Sequence, residues 1–319
     1  MEAFIIMLKN VVVFVALALP GYVLVKTKML KSEQSTVFST LLTYVGMPFL
    51  VLSNTLNLDF NADTVGSLLF SAAVALLCVF LLLLATGLLT KGEKNVQTRG
   101  MMRFCSIFSN NAFLGLPLAI AVFGAQSKAV SLLIVFNIVT NVLMFTLGVY
   151  LVSGDKNAVS LKKAFLSPNL LAFFLGILLN LTGVKNYVPE ISNYSGYLSN
   201  LVTPVSMTIL GMKLGGVRFL SLFTSAKTYY VALLRLLVFP VVIVSVLLIV
   251  YKLYPNGLVD EALLLAALIV YATPTPSSAS AFADQFGGDA EGAVSFTLGT
   301  TVLSVATIPI LYSLLCLFL

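Results

Sequence analysis

Charge-free runs divide the chain into ten pieces: residues 10–25, 34–58, 64–90, 104–127, 129–154, 164–184, 191–212, 228–251 (broken only by Arg235), 262–283 and 292–319. A helix crosses the hydrocarbon of a bilayer with about 20 apolar residues, within a range of roughly 17–25. Every run reaches that range, the first when counted from near Phe4 through Lys9. The pattern predicts an all-α membrane protein with ten transmembrane helices.

The fourth run is interrupted. Ser109-Asn110-Asn111-Ala112-Phe113-Leu114-Gly115-Leu116-Pro117 sits within it. Pro117 lacks a backbone donor and clashes with the preceding turn, and Gly115 gives the chain freedom to bend. Amides at this depth require burial in protein or a wet cavity. The ninth run is broken as well, by Ala272-Thr273-Pro274-Thr275-Pro276-Ser277-Ser278-Ala279-Ser280. A shift of 160 residues lays Phe38–Leu50 over Leu198–Leu210 with six identities in thirteen positions, and pairs the fourth run with the ninth. Interrupted spans at matching places in two halves point to a transporter site. With five spans per half, the second half is inverted relative to the first. We therefore divide the chain into repeats 1–155 and 156–319, the polar stretch from Ser153 to Lys163 spanning the boundary.

Composition narrows the class. Hydrophobic residues make up 59% of the 319 and charged residues 9%, against roughly 25% charged in soluble domains, which leaves no room for a sizeable soluble domain. The net charge of +6 does not indicate a nucleic-acid partner, because the basic residues lie in short loops. Loops one, three, five and seven hold Lys26, Lys28, Lys31; Lys91, Lys94, Arg99, Arg103; Lys156, Lys162, Lys163; and Lys213, Arg218, Lys227, whereas loops two, four, six and eight hold only Lys128, Lys185 and Lys252. The positive-inside rule puts the richer loops in the cytoplasm and both termini outside. Lys213 and Arg103 are read as anchors of that topology. Cys78, Cys105 and Cys316 are scattered and the chain has no histidine, so no metal site or disulfide framework is expected, and no cofactor. No basic segment precedes Ala16-Leu17-Ala18, so the first run is expected to be a retained helix and not a cleaved signal.

The breaks carry most of the candidate chemistry. A helix that restarts in mid-membrane presents unpaired N–H groups and a partial positive charge, which suit an anion. Asn110 and Asn111 add amide donors; Ser277 and Ser278 add hydroxyls. The plainer alternative is a pair of proline kinks with polar groups satisfied by neighbouring helices. Asn137, Thr140 and Asn141 share a helical face, as do Thr300, Thr301 and Ser304. These faces either line the cavity or join helices at about 0.6 kcal/mol per hydrogen bond. Arg235 either attracts an anion or snorkels to the cytoplasmic surface, eight residues beyond Lys227; snorkelling or a structural pairing is favoured. Asp284 is the acidic group nearest the pathway and the default site for proton coupling, with a solvated carboxylate as its alternative. An enzyme is not expected. Nucleophilic catalysis needs a base, usually histidine, and Ser53 and Ser206 have no lysine at convincing depth.

The motifs resemble the auxin efflux carrier family, which includes plant auxin carriers and bacterial permeases for malate and related dicarboxylates. Asn110, Gly115 and Pro117 match the family's N-x-x-x-x-G-x-P crossover. Pro274, Ala283 and Phe286-Gly287-Gly288-Asp289 are similar to the second crossover and its exit. Thr300-Thr301-Val302-Leu303-Ser304 with Pro309 resembles the tenth helix, and Ser167-Pro168-Asn169-Leu170 the start of the sixth. Without a long hydrophilic central loop, the chain looks like the compact bacterial type, a multi-pass protein of the cell (inner) membrane. The resemblance implies two inverted five-helix repeats with broken, crossing helices four and nine, a fold shared with bile-acid/sodium symporters. It further implies a scaffold of helices 1, 2, 6 and 7 that dimerises, and a moving transport domain of helices 3–5 and 8–10. The substrate would be a small organic anion, a mono- or dicarboxylate such as malate or an auxin-like acid, with protons or sodium as coupling ion or none. An anion channel or a membrane-embedded ligand sensor is the alternative on the same fold. Asn111 and Pro276 add a second amide and a second proline to the family pattern.

Overall fold

The computed structural model describes residues 2–59, 61–160, 162, 165–188, 190–217, 225–255 and 257–319. Lys163 and Arg218, both counted in the orientation argument, lie outside the described residues. The described chain is all helical: α1 (Glu2–Lys26), α2 (Ser32–Leu56), α3 (Ala62–Leu89), α4 (Val96–Ile107), α5 (111–123), α6 (Lys128–Ser153), α7 (Pro168–Leu181), α8 (Glu190–Ser199), α9 (Val202–Gly215), α10 (Ala226–Leu253), α11 (Glu261–Ala272), α12 (Ala279–Phe286) and α13 (Ala290–Cys316). Among the described residues seven stretches are long and apolar enough to cross a membrane: Ile5–Lys26 of α1, α2, α3, the α4–α5 stretch Val96–Phe123, α6, α10 and α13. The sixth, seventh and ninth charge-free runs fold instead as shorter pieces: α7; α8 with α9; and α11 with α12.

Their outer faces are apolar. Leu69, Leu77, Leu81, Leu84 and Leu88 of α3, Phe174 and Leu178 of α7, and Val242, Val246 and Ile249 of α10 are exposed. Such a belt is untenable in water but is the expected surface where the solvent is lipid. The inner face of α3 runs Leu68, Ser71, Ala75, Cys78, Leu82, all buried, at the three-and-four spacing of one helical side.

Local chemistry sets the helix ends. The side chains of Asn61, Asn95, Ser127, Asp260 and Asp289 accept from the backbone amides of Thr64, Thr98, Val130, Leu263 and Gly292, capping α3, α4, α6, α11 and α13. These caps satisfy amides that a helix start leaves free. Three prolines follow π-turns: Pro48 after Leu42–Gly46, Pro117 after Asn111–Gly115, and Pro240 after Leu234–Val238. A proline ring clashes with the carbonyl four residues back, and one widened turn relieves the clash without ending the helix.

The helices pack in two neighbourhoods. α1 lies along α9 at backbone contact: a Cβ on Gly211 would overlap the Ala18 carbonyl oxygen, and one on Gly21 the Thr208 carbonyl oxygen. Gly211 and Gly215 form a small-xxx-small stripe that permits this approach. α7 packs on α2, where Gly176 faces Thr55 and the Asn180 amide donates to the Thr55, Leu56 and Leu58 carbonyls at 3.1, 2.8 and 2.9 Å, closing the C-terminal end of α2. On the other side α3 packs on α6, α6 on α11, α11 on α10, and α13 on α10 and α12. The broken pair sits between these neighbourhoods, with α9 against the start of α5 and α1 against α5 and α13.

Candidate functional site

Helix α4 stops at Ile107 and α5 begins at Asn111; α11 stops at Ala272 and α12 begins at Ala279. The two non-helical links meet. The Asn110 amide donates to the Pro274 carbonyl at 2.8 Å, and the Ser277 hydroxyl donates to Asn110 Oδ1 at 3.4 Å. Neither α5 nor α12 has a side-chain cap hydrogen bond, so their first-turn amides have no intrahelical acceptor. Both positive helix ends border one cavity of about 140 Å³, walled by Asn110, Asn111, Thr140, Asn141, Asn169, Pro276, Ser277 and Ser278 with Met47, Phe108, Phe113 and Phe282. At about 30 Å³ per water that is space for roughly four to five waters. A larger cavity of about 560 Å³ shares Thr43, Phe113, Ser277 and Ser278 with it and reaches Ser32, Glu33, Gly216 and Asp284.

Polar residues on α6 and α13 hold the breaks. Asn141 Nδ2 donates to Asn137 Oδ1 at 2.9 Å, Asn137 Nδ2 to Asn111 Oδ1 at 2.9 Å, and Asn111 Nδ2 to the Thr140 hydroxyl at 3.1 Å. Asn137 is buried off the cavity wall and fixes Asn111 to α6. On the second side Thr300 Oγ1 accepts from the Thr275 amide at 3.2 Å, and the Thr297 hydroxyl donates to the Pro276 carbonyl at 3.3 Å. Phe136, Asn137 and Thr140 stand 160 residues before Phe296, Thr297 and Thr300, and both threonines donate to the carbonyl of the phenylalanine four residues back, at 2.8 and 2.7 Å. Thr297 was not singled out in sequence, although the 160-residue shift pairs it with Asn137.

Arg235 does not snorkel. It is fully buried and donates to four backbone carbonyls: Nε to Thr273 at 3.0 Å, one terminal nitrogen to Ile107 at 3.1 Å and Ser106 at 3.4 Å, the other to Val270 at 2.6 Å. These belong to the ends of α4 and α11, where carbonyls lack helical donors and carry partial negative charge. The planar guanidinium, with five donors, joins both ends at once. It sits in the π-turn Leu234–Val238 of α10. Its place is the structural pairing; it does not line the cavity.

Other expectations shift too. Gly115 has ordinary right-handed helical dihedrals (φ −64°, ψ −52°), so its smallness serves approach and not a turn: a Cβ there would stand 3.3 Å from Ile269 and 3.4 Å from Thr273. Pro117 and Pro274 are buried and shape the chain without lining the cavity. Thr301 donates to the Thr297 carbonyl at 2.7 Å; it is off the wall of the 140 Å³ cavity but lines both an apolar crevice beside α1 and the narrow space beside Asn110, Lys213 and Ser277. Asp284 is exposed on the wall of the larger cavity. Lys213, read as a surface anchor, instead reaches inward and donates to the Ser277 carbonyl in the second break. Its neighbour on the same helix face, Ser206, donates to the Thr203 carbonyl at 2.9 Å. Among the described residues no cluster of ligating side chains could hold a metal ion.

A multi-span helical protein whose interior polar groups converge on a small cavity is built to carry or bind a solute within the membrane. The sequence matches the family described as membrane transport protein over residues 5–160 and again over 155–312. This chain belongs to that family, the one that contains the auxin efflux carriers. It is 26% identical over 315 residues to an uncharacterized transporter of Methanothermobacter thermautotrophicus, covering 95% of this chain and 96% of the relative. It is 28% identical over 213 residues to an uncharacterized transporter of Methanocaldococcus jannaschii, covering 64% of this chain and 68% of the relative. The chain is thus a multi-pass membrane transporter.

Proposed function

We propose that the protein is a secondary transporter of small organic anions, mono- or dicarboxylates such as malate or auxin-like acids. It works by alternating access, and the paired breaks carry the substrate. The observation that carries this reading is the convergence of two uncapped helix N-termini, Asn110 and Ser277 on one cavity. Two positive helix ends with amide and hydroxyl side chains, and no carboxylate among the described residues that line that cavity, favour a carboxylate ligand. In this reading the chain makes ten crossings, counting α7, α8–α9 and α11–α12 as the sixth, seventh and ninth. The halves 1–155 and 156–319 are inverted repeats, and the fourth and ninth spans cross at their breaks. The matching braces Asn137–Thr140 and Thr297–Thr300 support the repeat.

Spans 1, 2, 6 and 7 form a scaffold through which two copies dimerise, while spans 3–5 and 8–10 move as an elevator. Both termini face outward, so the larger cavity, bounded by Glu33 and Gly216 beside Lys-bearing loops, opens to the cytoplasm. Asp284 on that wall is placed to exchange a proton with the cytoplasm, and sodium coupling or uniport are the other outcomes of a coupling assay. Purified protein in liposomes tests the reading. Saturable uptake and counterflow of labelled malate are expected, with Asn110→Ala abolishing uptake at normal membrane insertion. Wild-type rates in that variant would remove the first break from the site. Current without counterflow would indicate a channel, and ligand binding without flux a sensor.

A further inference from the structure

Lys213 on α9 is the residue whose setting the transport site leaves unexplained. Its side chain is half-buried in the neck between the two cavities, beside Asn110, Ser206, Ser277 and Thr297. The ammonium donates to the Ser277 carbonyl and has three donors in all. Among the described residues the ion pairs are Lys128–Asp260 and Lys227–Glu93, so Lys213 has no carboxylate partner. The carboxylates sharing the larger cavity with it, Glu33 and Asp284, are both exposed on its wall. The residue it touches immediately precedes the N-cap of α12, so the ammonium stands beside the partial positive end of that helix. Two positive groups converging inside a membrane without an anion are unfavourable unless one arrives during the working cycle.

We infer that Lys213 is the counter-charge for the substrate carboxylate, exchanging the Ser277 carbonyl for the anion when substrate enters from the larger cavity. Asn110 and Lys213 both contact Ser277, so one carboxylate spans them, and neutral analogues of the same shape are excluded. The exchange also couples occupancy to motion. Lys213 belongs to α9, packed on α1, whereas Ser277 belongs to the break; their hydrogen bond ties the two neighbourhoods together, and an anion that takes the ammonium releases it. This inference rests on the transport reading above and assigns its anion selectivity to one residue.

The test uses full-length protein in liposomes, with labelled L-malate and labelled benzoate as di- and monocarboxylate probes. Lys213→Arg should stay within a few-fold of wild-type uptake; Lys213→Met should raise KM for the transported probe at least tenfold. A charge-rescue arm separates charge from folding. In a Cys316→Ser background, where the remaining native cysteines are buried, Lys213→Cys should regain uptake after aminoethyl methanethiosulfonate, which restores a lysine-like ammonium. The neutral hydroxyethyl reagent should not restore it. Equal rescue by both reagents, or wild-type KM in Lys213→Met while Asn110→Ala is inactive, overturns the inference and leaves the transport reading standing. If wild-type protein carries neither probe and neither shifts its melting temperature, the organic-anion reading fails, and this inference with it.

Discussion

Replacing Arg235 with methionine keeps most of the side-chain volume and removes every donor. Four carbonyls at the ends of α4 and α11 then lose the guanidinium donor: Ser106, Ile107, Val270 and Thr273, of which Val270 keeps the Thr273 hydroxyl at 3.1 Å. Hydrogen bonds from a charged donor contribute roughly 1.5–3 kcal/mol each, but the sum overstates the loss because burying the guanidinium carries its own desolvation cost. Leaving a buried acceptor without a donor costs about 1–3 kcal/mol each, so with that offset a net loss of about 3–5 kcal/mol is expected. At roughly 2 °C per kcal/mol for a chain of this size, the apparent melting temperature in detergent should fall by about 6–10 °C. Arg235→Lys should fall between the two, since a point-like ammonium cannot reach both helix ends as a planar fork does. Size-exclusion chromatography of heated samples, read by tyrosine fluorescence because the chain has no tryptophan, is sufficient. A melting temperature for Arg235→Met within 1 °C of wild type would refute the bracing role and revive a side chain reaching for the membrane surface.

Two further changes probe packing. Asn137→Leu leaves the buried Asn111 Oδ1 without a donor, so stability should drop by about 1–2 kcal/mol. In a double-mutant cycle with Asn111→Leu the effects should be coupled by at least about 0.5 kcal/mol; strict additivity would show that the amides are not joined. Gly211→Ala places a Cβ on the Ala18 carbonyl oxygen and should prevent close docking of α1 on α9, read as loss of the monodisperse peak. The control is Gly66→Ala in α3, where a Cβ meets nothing within 4 Å; it should be neutral or stabilising by up to about 1 kcal/mol. Equal behaviour of the two glycine variants would count against the backbone contact.

The linear pattern of charge determined most of the architecture. Charge-free runs of bilayer length mark where helices form, because an apolar segment in lipid must satisfy its own backbone. Polar residues within an apolar run mark where a helix stops, at 108–110 with Ser109 and Asn110 and at 273–278 with two prolines among hydroxyl residues. Asn110, Asn111, Ser277 and Ser278 were legible for the same reason: polar residues in a membrane run demand an explanation from sequence alone. Contacts across the fold were not legible. Lys213 ends an apolar stretch and reads as an anchor of topology, whereas Arg235 interrupts one and reads as either an anion site, a snorkelling side chain or a structural pairing; sequence alone does not say where either side chain points. Tertiary packing separates them, because the direction of a long side chain depends on which helix lies opposite. α10 turns Arg235 toward the two helix C-termini, where negative charge holds it, while α9 turns Lys213 toward a helix N-terminus, where among the described residues no carboxylate pairs with it. Gly115 makes the same point, since whether a glycine is there to bend or to admit a neighbour is decided only by the atoms facing it.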